Sequence, residues 1–484
     1  MDITFQIIIG IVIMVSISLF NTYGYGRKFD TIKSFYYGDD NLKVSKVVHL
    51  LLSTSFSMNG ILYQTFLGFA FGWAALLIQA VWCASYWWLS SYSSRINSFE
   101  KNGTIHGTIA IYFGSNAAKI ATLATIIGFT LQIGWELIVG SVAISTIAPN
   151  NSVLLMILIF GLAVISATYT ILGGLKGNIK VNVFQNIVGG VAFIIIPIFF
   201  ILVTQKPETT LNSYLSFDFK GLFGNTPLLI IAFLSNILFS LFWQFVDSST
   251  WHSIMSGSNT DNTSEKALKW SSFWIFIFPG FMGTILGISL KLSNPEMTDP
   301  NSYIPYIITE ISNYPYLVIL FIMGCIGAML STLDGLLLSV GQVVSWDWFN
   351  SNIIGKILNG EITDDNLEKR IINTTRIAIF VTAIVGSLFS YVITQVFQVS
   401  IFDIVYIVTV AQMVLVPVIF KVLKNKQNEK YINAEWSLGI SLLVGVLFVV
   451  IMIVFNKQQY LPFAPIISLG LSYILAFTIK KQDI

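Results

Sequence analysis

Long apolar runs alternate with short polar stretches along the whole chain. A run of about 20 apolar residues is the length of helix that crosses the hydrocarbon core of a bilayer. The polar stretches between the runs are of loop length, so we expect one transmembrane domain over residues 1–484. The pattern predicts thirteen membrane-spanning helices, at residues 3–20, 46–72, 73–93, 119–147, 152–174, 178–204, 228–250, 270–292, 315–345, 371–396, 400–423, 436–455 and 459–479.

Composition agrees with a polytopic membrane protein. Hydrophobic residues make up 55% of the chain and charged residues 10%, whereas soluble globular domains contain about 25% charged residues. Of the 26 Lys and Arg residues, only Lys206, Lys220, Lys291 and Lys457 fall in the loops on one side of the thirteen predicted helices. The positive-inside rule makes that side the outer one. We therefore predict a plasma-membrane protein with its N-terminus outside and its C-terminus in the cytoplasm.

Several classes of function lack their sequence signatures. The chain has no phosphate-binding loop, no zinc-ligand spacing and no nucleophile elbow, and Cys83 and Cys325 both fall inside apolar runs. No basic run suggests nucleic-acid binding, and no obligate protein partner is evident. We predict that the protein is not an enzyme, uses no cofactor and takes energy from an ion gradient.

The ninth predicted helix contains an unusual polar face. Ala328, Ser331 and Thr332 follow each other at positions i, i+3 and i+4, so a carbonyl and two hydroxyls share one side of the helix. A hard monovalent cation needs such oxygens. The alternative is a stripe of small residues for close helix packing, with the hydroxyls bonded back to their own helix. Spacing alone favours packing.

Four stretches of the chain carry a family resemblance. Residues 328–334 (AMLSTLD) look like an A-x-x-S-[ST]-x-D signature, and residues 169–176 (YTILGGLK) with Gln185 are similar to a Y-T-x-x-G-G-L…Q segment. Residues 104–114 (TIHGTIAIYFG), a short stretch that ends in Phe-Gly, and residues 35–42 (FYYGDDNL) resemble two further elements in the matching order. Together with the helix count, they resemble the sodium/solute symporter family, which includes carriers of proline, pantothenate, sugars and sialic acid.

The resemblance implies an all-α, leucine-transporter-like fold with thirteen transmembrane helices. Two inverted five-helix repeats would cover residues 46–204 and 228–423, with an extra helix at 3–20 and two C-terminal helices at 436–479. In such folds the first helix of each repeat is broken near mid-membrane. Residues 53–60 (STSFSMNG) suit a break, and Asn236 and Ser240 are weaker candidates in the second repeat. The alternative is that these polar residues are simply satisfied within the bundle.

The resemblance also implies a sodium site. Its ligands would be the backbone carbonyls of Ser53, Phe56 and Ala328 and the hydroxyls of Ser331 and Thr332. Sodium would tie the second helix to the ninth and favour an outward-open form, and its release inward would allow the bundle to rock.

One departure from the family pattern concerns a possible second ion. Where the family usually has Thr-Asp, this chain has Val181-Asn182, and Asp334 is kept in the ninth helix. A carboxylate at membrane depth costs about 2.5–3.5 kcal/mol, so Asp334 must face protein, water or an ion. Asn182 and Asp334 are candidates for a hydrogen-bonded pair or for a second ion or proton site. A purely structural carboxylate, held by backbone and hydroxyl donors, is equally compatible with the sequence.

Candidate contacts to a transported solute are polar or amphipathic residues at plausible depth. Glu136 is the most suggestive, because a buried carboxylate where some relatives have a basic residue disfavours carboxylate solutes and favours an amine, amide or polyol. It is equally compatible with a hydrogen bond inside the bundle. The candidates are Asn59, Gln64, Gln79, Gln132, Glu136, Trp243 and Gln244.

The sequence thus predicts a sodium-coupled symporter that imports a small polar solute, such as an amino acid, amine, amide or polyol, by alternating access. The alternative is a sodium-independent channel-like or sensor protein on the same fold. A relative without transport should lose the hydroxyl pair at Ser331 and Thr332, and this chain keeps it.

Overall fold

The protein is built from α-helices, as predicted. Its computed structural model describes residues 2–23, 31–38, 42–145, 152–203, 215, 217–224, 226–257, 262–297, 299–425 and 431–481. Lys206, residues 39–41 and the predicted helix ends at 146–147 and 204 lie outside the described residues. The α-helices are α1 Ile3–Tyr23, α2 Ile32–Tyr36, α3 Val44–Ser55, α4 Met58–Phe71, α5 Leu76–Ser90, α6 Ser93–Asn97, α7 Ile105–Ser145, α8 Ser152–Val203, α9 Phe219–Phe223, α10 Pro227–Val246, α11 Ser248–Met255, α12 Thr263–Ile275, α13 Gly283–Ser293, α14 Tyr303–Glu310, α15 Pro315–Gln342, α16 Ser351–Leu358, α17 Asp365–Tyr391, α18 Ile404–Met413, α19 Val416–Lys424, α20 Ala434–Val454 and α21 Phe463–Leu475. Two short strands, β1 Tyr431–Ile432 and β2 Lys480–Lys481, pair antiparallel.

Every predicted membrane span coincides with helical segments. Within the described ranges, 8 helices are long and apolar enough to cross a membrane, with α12 and α13 counted as one helix because the π-helical segment Phe276–Met282 joins them. The number is 9 if α18 and α19, which are bent by 44°, form one span. The predicted span at 46–72 is divided between α3 and α4, and the spans at 73–93 and 459–479 each hold one shorter α-helix, α5 with 15 residues and α21 with 13. The total of thirteen therefore stays a prediction.

Two glycines with positive φ divide the longest helices. Gly114 has φ +83° inside α7, and Gly174 has φ +51° inside α8. Because only glycine adopts this region without strain, each marks a boundary between two helical segments. Gly114 ends the 104–114 motif, and Gly174 belongs to the 169–176 motif.

The predicted break in the second span is present. Helix α3 ends at Ser55, and α4 begins at Met58 after Phe56 (φ −85°, ψ 63°) and Ser57 (φ −100°, ψ 155°). The Ser57 hydroxyl accepts a hydrogen bond from the Gly60 N–H at 3.0 Å, which is the usual way in which serine begins a helix.

The break in the seventh span lies later than expected. Asn236 and Ser240 sit inside α10, where the Asn236 amide donates to the Ala232 carbonyl at 2.9 Å. The helix instead ends at Val246 and restarts as α11 after Asp247, which has ψ 110°. The Asp247 carboxylate accepts from the N–H groups of residues 249 and 250, each at 3.1 Å. A carboxylate that caps a helix N-terminus was the correct signal for this break.

Helix α15 lies at the centre of the bundle. It contacts α1, α3, α7, α8 and α17, and all of its residues from Gly324 to Gln342 are buried except Gly335. A Cβ on Gly324 would lie 2.5 Å from the Ala192 Cβ, and one on Gly327 would lie 2.8 Å from the Met14 Cε. Small residues therefore do serve packing along α15, and the Ser331 hydroxyl bonds back to its own helix, as the alternative interpretation proposed, while the Thr332 hydroxyl contacts α3.

Candidate functional site

The predicted cation ligands meet where α15 touches the end of α3. The Thr332 Oγ1 lies 2.8 Å from the Ser53 carbonyl and 3.1 Å from the Ala328 carbonyl, and the Ser331 hydroxyl donates to the same Ala328 carbonyl at 3.0 Å. All four residues are buried, with exposures of 0 to 1%. Four oxygens of the predicted set thus come together away from solvent.

The break in α3 explains why the Ser53 carbonyl is available. The last carbonyls of a helix have no partner within that helix, and Ser53 lies in the last turn of α3. Phe56 follows at the break, with its ring against Gly189, where an added Cβ would lie 2.5 Å from the Phe56 Cε1. This close packing contact holds the start of the break against α8.

Neutral oxygens in a buried position are the donor set of a monovalent cation such as sodium. A hydroxyl that donates its proton to a carbonyl keeps lone pairs for an ion, and unwound backbone carbonyls coordinate sodium in transporters with broken helices. Transition metals prefer nitrogen or sulfur ligands, and no cluster of three His, Cys, Asp or Glu residues occurs in the described part of the chain.

Asp334 lies one turn further along α15, among amides of α8. The Asn182 Nδ2 lies 3.4 Å from the Asp334 Oδ1, and the Asn178 Nδ2 lies 3.4 Å from the Asp334 backbone carbonyl. Tyr169 directs its hydroxyl to the Leu330 carbonyl at 2.6 Å. Among the described residues, the Asp334 Oδ2 and the Oδ1 atoms of both asparagines accept no hydrogen bond. The predicted Asn182–Asp334 pair is formed, and it leaves unused oxygens around it.

A cavity of about 80 Å³ lies beside the break between α3 and α4. Four of the predicted solute contacts line it: Asn59, Gln64, Gln79 and Gln132. The remaining lining residues were not predicted as solute contacts; they are Thr54, Ser55, Ser57, Gly60, Tyr63, Ile78, Trp82, Trp135, Asn236, Phe239, Ser240, Pro279 and Val405. Position was a signal for six of them, because residues 53–60, Asn236 and Ser240 were already singled out as candidates for helix breaks. The other seven were not predicted from the sequence.

Three predicted solute contacts do not line this cavity. Glu136 accepts hydrogen bonds from the backbone N–H groups of Met58 (2.7 Å) and Asn59 (3.3 Å) at the start of α4. Gln244 accepts from the Thr250 hydroxyl at 2.9 Å, next to the break at Asp247. Trp243 packs on Phe239, with 5.1 Å between ring centroids. All three side chains are buried and lie next to one of the two helix breaks.

A larger groove, of about 620 Å³, lies between α3, α8 and α12. Apart from Ser45, His49 and Asn186, its lining is apolar or aromatic, for example Val48, Leu52 and Trp274. It borders Phe56 but none of the hydroxyls of the cation site. Because a polar solute needs polar contacts, the smaller cavity is the better candidate for solute binding.

The 35–42 and 104–114 motifs meet at the π-helical segment Val343–Phe349, which directly follows α15. The Tyr36 ring lies 4.6 Å from the ring of Trp346, and the Tyr37 hydroxyl donates to the Gly103 carbonyl at 2.7 Å. Asp347 accepts from the Thr104 hydroxyl at 2.6 Å. We refer to this contact between residues 36–37, 103–106 and 346–347 as the end seal.

Two histidines strengthen the end seal, and neither role was predicted from the sequence. The His106 Nδ1 lies 3.0 Å from the second carboxylate oxygen of Asp347, and its Nε2 lies 2.9 Å from the Thr125 hydroxyl. The His252 Nε2 donates to the Tyr36 carbonyl at 2.7 Å. These contacts join α7, α11 and the segment before α3 to one end of the central helix.

Comparison with known proteins identifies the fold. No protein-family model matches the chain, and no curated protein matches it. Among solved structures, the chain resembles a substrate-bound, outward-open Na⁺-coupled sialic acid symporter with a TM-score of 0.76 at 14% identity, covering 100% of each chain. It also resembles a nucleobase-cation-symport-1 family transporter, closed with bromovinylhydantoin bound, with a TM-score of 0.54 at 14% identity, covering 91% of this chain and 93% of the other.

An identity of 14% shows a shared fold. Both neighbours are transporters with the leucine-transporter fold, which confirms the predicted fold class. The predicted repeat boundaries stay predictions. The chain is a multi-pass membrane protein with the leucine-transporter fold, and the resemblance of its motifs to the sodium/solute symporter family is consistent with both neighbours.

Proposed function

We propose that this protein is a sodium-coupled symporter that imports a small polar solute by alternating access. The observation that supports this most is the contact of the Thr332 hydroxyl with the Ser53 carbonyl at 2.8 Å. It joins the central helix to the open end of a broken helix, and it does so in a buried cluster of neutral oxygens. The proposal makes the protein a transporter and not an enzyme, with sodium as its coupling ion.

Sodium acts in this proposal as a bridge between α3 and α15. Bound to oxygens of both helices, it favours the form in which they touch, and its departure lets α3 move away. One positive charge that crosses 100 mV contributes about 2.3 kcal/mol, which corresponds to roughly 50-fold accumulation of solute. In the predicted orientation the end seal lies on the cytoplasmic side, so inward opening must separate it.

The experiment that tests this proposal is uptake by the purified protein in proteoliposomes. Solutes are first found by thermal shift, because a ligand that binds the folded state raises its apparent stability. Uptake of a solute found in this way should then be driven by an inward sodium gradient and be lost when choline replaces sodium. Equal flux in sodium and choline would favour the sodium-independent channel or sensor instead.

We also infer a second cation or proton position at Asp334. Asn178 and Asn182 both contact Asp334 through their amide nitrogens, and the Asp334 Oδ2 and the Oδ1 atoms of both asparagines are buried without a hydrogen-bond partner among the described residues. An unsatisfied buried carboxylate oxygen is costly unless something binds it. A proton or a cation bound to the Oδ2 of Asp334 would remove this cost.

The Asp334→Asn variant should lower the charge moved per solute by about one elementary charge, because the side chain loses the negative charge that holds a cation or a proton. The measurement is the ratio of current to solute flux in proteoliposomes at fixed sodium. Asp247→Asn is the matched control: it also removes a buried carboxylate, but one whose oxygens are both already bonded. Its ratio should equal that of the unmodified protein even if its rate falls. An unchanged ratio in Asp334→Asn would leave Asp334 a purely structural residue.

A further inference from the structure

The N-terminus of α4 is already filled by the protein's own carboxylate. A helix start exposes N–H groups and a positive dipole end, which favour an anion. Here Glu136 of α7 accepts from the Met58 N–H at 2.7 Å and the Asn59 N–H at 3.3 Å, and Ser57 accepts from the Gly60 N–H. Each of the first three N–H groups of α4 therefore has an acceptor within the chain.

This occupation bears on the solute. In transporters with broken helices, half-helix N-termini commonly point at an anionic group of the substrate. A solute carboxylate at α4 would find no free N–H group and would have to displace Glu136, which is 0% exposed. The site is therefore built against carboxylate solutes.

The cavity beside α4 offers a different set of contacts. Within the described part of the chain, its lining includes no Asp, Glu, Lys, Arg or His side chain. Three buried polar atoms of the lining have no hydrogen-bond partner there: the Asn59 Nδ2, the Trp135 Nε1 and the Gln132 Oε1. Asn59 and Trp135 are each only 6% exposed. Because buried polar groups are nearly always bonded, these two donors and one acceptor are groups on the lining residues that a bound ligand could satisfy.

A ligand that bonded to all three atoms would need two hydrogen-bond acceptors and one donor. Carbonyl, amide and hydroxyl groups provide that combination without a charge. An ammonium group would find no carboxylate among the lining residues, because the oxygens of Glu136 are directed at the backbone of α4. Aromatic lining residues such as Tyr63 and Trp82 offer faces for the carbon skeleton.

We propose that the solute is an uncharged amide or polyol and that Glu136 excludes carboxylates by filling the N-terminus of α4. This inference rests on the proposed transport function and narrows its solute class. Glu136 is a positioning residue, since it holds α4 and does not line the cavity.

Matched solutes test the class directly. The full-length protein is screened by thermal shift, in sodium and in choline, with sets that share one carbon skeleton: a carboxylic acid, its primary amide, the corresponding amine, and polyols of similar size. An amide or polyol should raise the apparent melting temperature, and the acid and amine should not. A shift with the acid or the amine as large as that with the amide would overturn the inference.

The same screen separates this inference from the proposed function. A shift with amides or polyols that is equal in sodium and choline would support the solute class and contradict sodium coupling. A sodium-dependent shift with acids would support coupling and contradict the solute class.

Removing the carboxylate should change the selectivity. In Glu136→Ala the Met58 and Asn59 N–H groups lose their acceptor, so the matched acid should now raise the melting temperature, and affinity for the amide should fall about tenfold. Formate should compete with the acid in this variant and have no effect on the unmodified protein. Glu136→Gln keeps an acceptor for the Met58 N–H and provides the second variant if Glu136→Ala does not fold; it should bind the acid more tightly than the unmodified protein does. Acids that remain without effect on both folded variants would overturn the role of Glu136.

Discussion

Replacing Ser331 and Thr332 together with Ala should abolish sodium-stimulated uptake while the protein remains folded. The change removes two of the four buried oxygens and the direct bond from α15 to the Ser53 carbonyl. Thr332→Ala alone should weaken apparent sodium affinity by at least about tenfold, because it breaks the bond between helices. The measurements are sodium-dependent uptake in proteoliposomes and the sodium-induced thermal shift of the purified protein.

The matched control removes two buried hydroxyls that bond only within their own helices. The Ser387 hydroxyl donates to the Ala383 carbonyl at 2.7 Å in α17, and Thr409 donates to the Val405 carbonyl at 2.8 Å in α18. The Ser387→Ala, Thr409→Ala double variant should keep its sodium dependence. The Thr332→Ser variant keeps the hydroxyl and should retain most of the sodium dependence of the unmodified protein. Unchanged sodium dependence in the Ser331, Thr332 double variant would refute the proposed sodium site.

Substituting Gly287 with Ala should strongly destabilise the protein and reduce transport. A Cβ at this position of α13 would lie 2.0 Å from the Thr65 backbone carbonyl and 2.5 Å from the Phe69 backbone nitrogen of α4. Because the obstacle is backbone, no side-chain rotation relieves it, and α4 must move away from α13. Overpacking costs about 1–3 kcal/mol even where side chains can adapt. The shift should also weaken the bond from Gln64 to the Thr284 hydroxyl, now 2.8 Å, and so distort the cavity.

Two other helical glycines provide the control for Gly287→Ala. A Cβ on Gly161 or on Gly470 would meet nothing within 4 Å. Ala at these positions should be neutral or stabilise the helix by up to about 1 kcal/mol, because Ala has the higher helix propensity. Melting temperatures in detergent and the folded fraction after purification measure all three variants. A Gly287→Ala protein as stable as the two controls would show that α4 and α13 are not in close contact.

The lengths of the apolar runs, and the polar residues that interrupt them, predicted much of the fold. The runs located the helices, and the cluster of Ser, Asn and Gly at 53–60 marked the break between α3 and α4, since these residues satisfy free backbone groups locally. The second break was placed wrongly, at Asn236 and Ser240, because an amide or hydroxyl inside a helix can bond to its own preceding turn. Asp247 is a strong capping residue, and a search for capping residues would have located the break, but no such prediction was made.

The contacts of the candidate site were less accessible to sequence reasoning. Periodicity placed Ala328, Ser331 and Thr332 on one face, but it could not say which helix that face meets. The proximity of Ser53 was implied only by the family resemblance. The bond between Glu136 and the start of α4 joins residues 77 to 78 positions apart, and no local pattern encodes such a contact. The pair of His106 and Asp347, 241 positions apart, escaped notice for the same reason.

The break at Phe56 gives α3 the mechanics of a short lever. The helix has 12 residues and is therefore roughly 18 Å long, with its fulcrum at the end next to α15. An ion held by Ser53 acts close to this fulcrum, where small displacements are converted into large ones at Val44. Sub-ångström differences in how tightly the oxygens close around an ion should therefore decide whether the far end of the helix swings. Ion selectivity and gate position would then be set by the same few atoms.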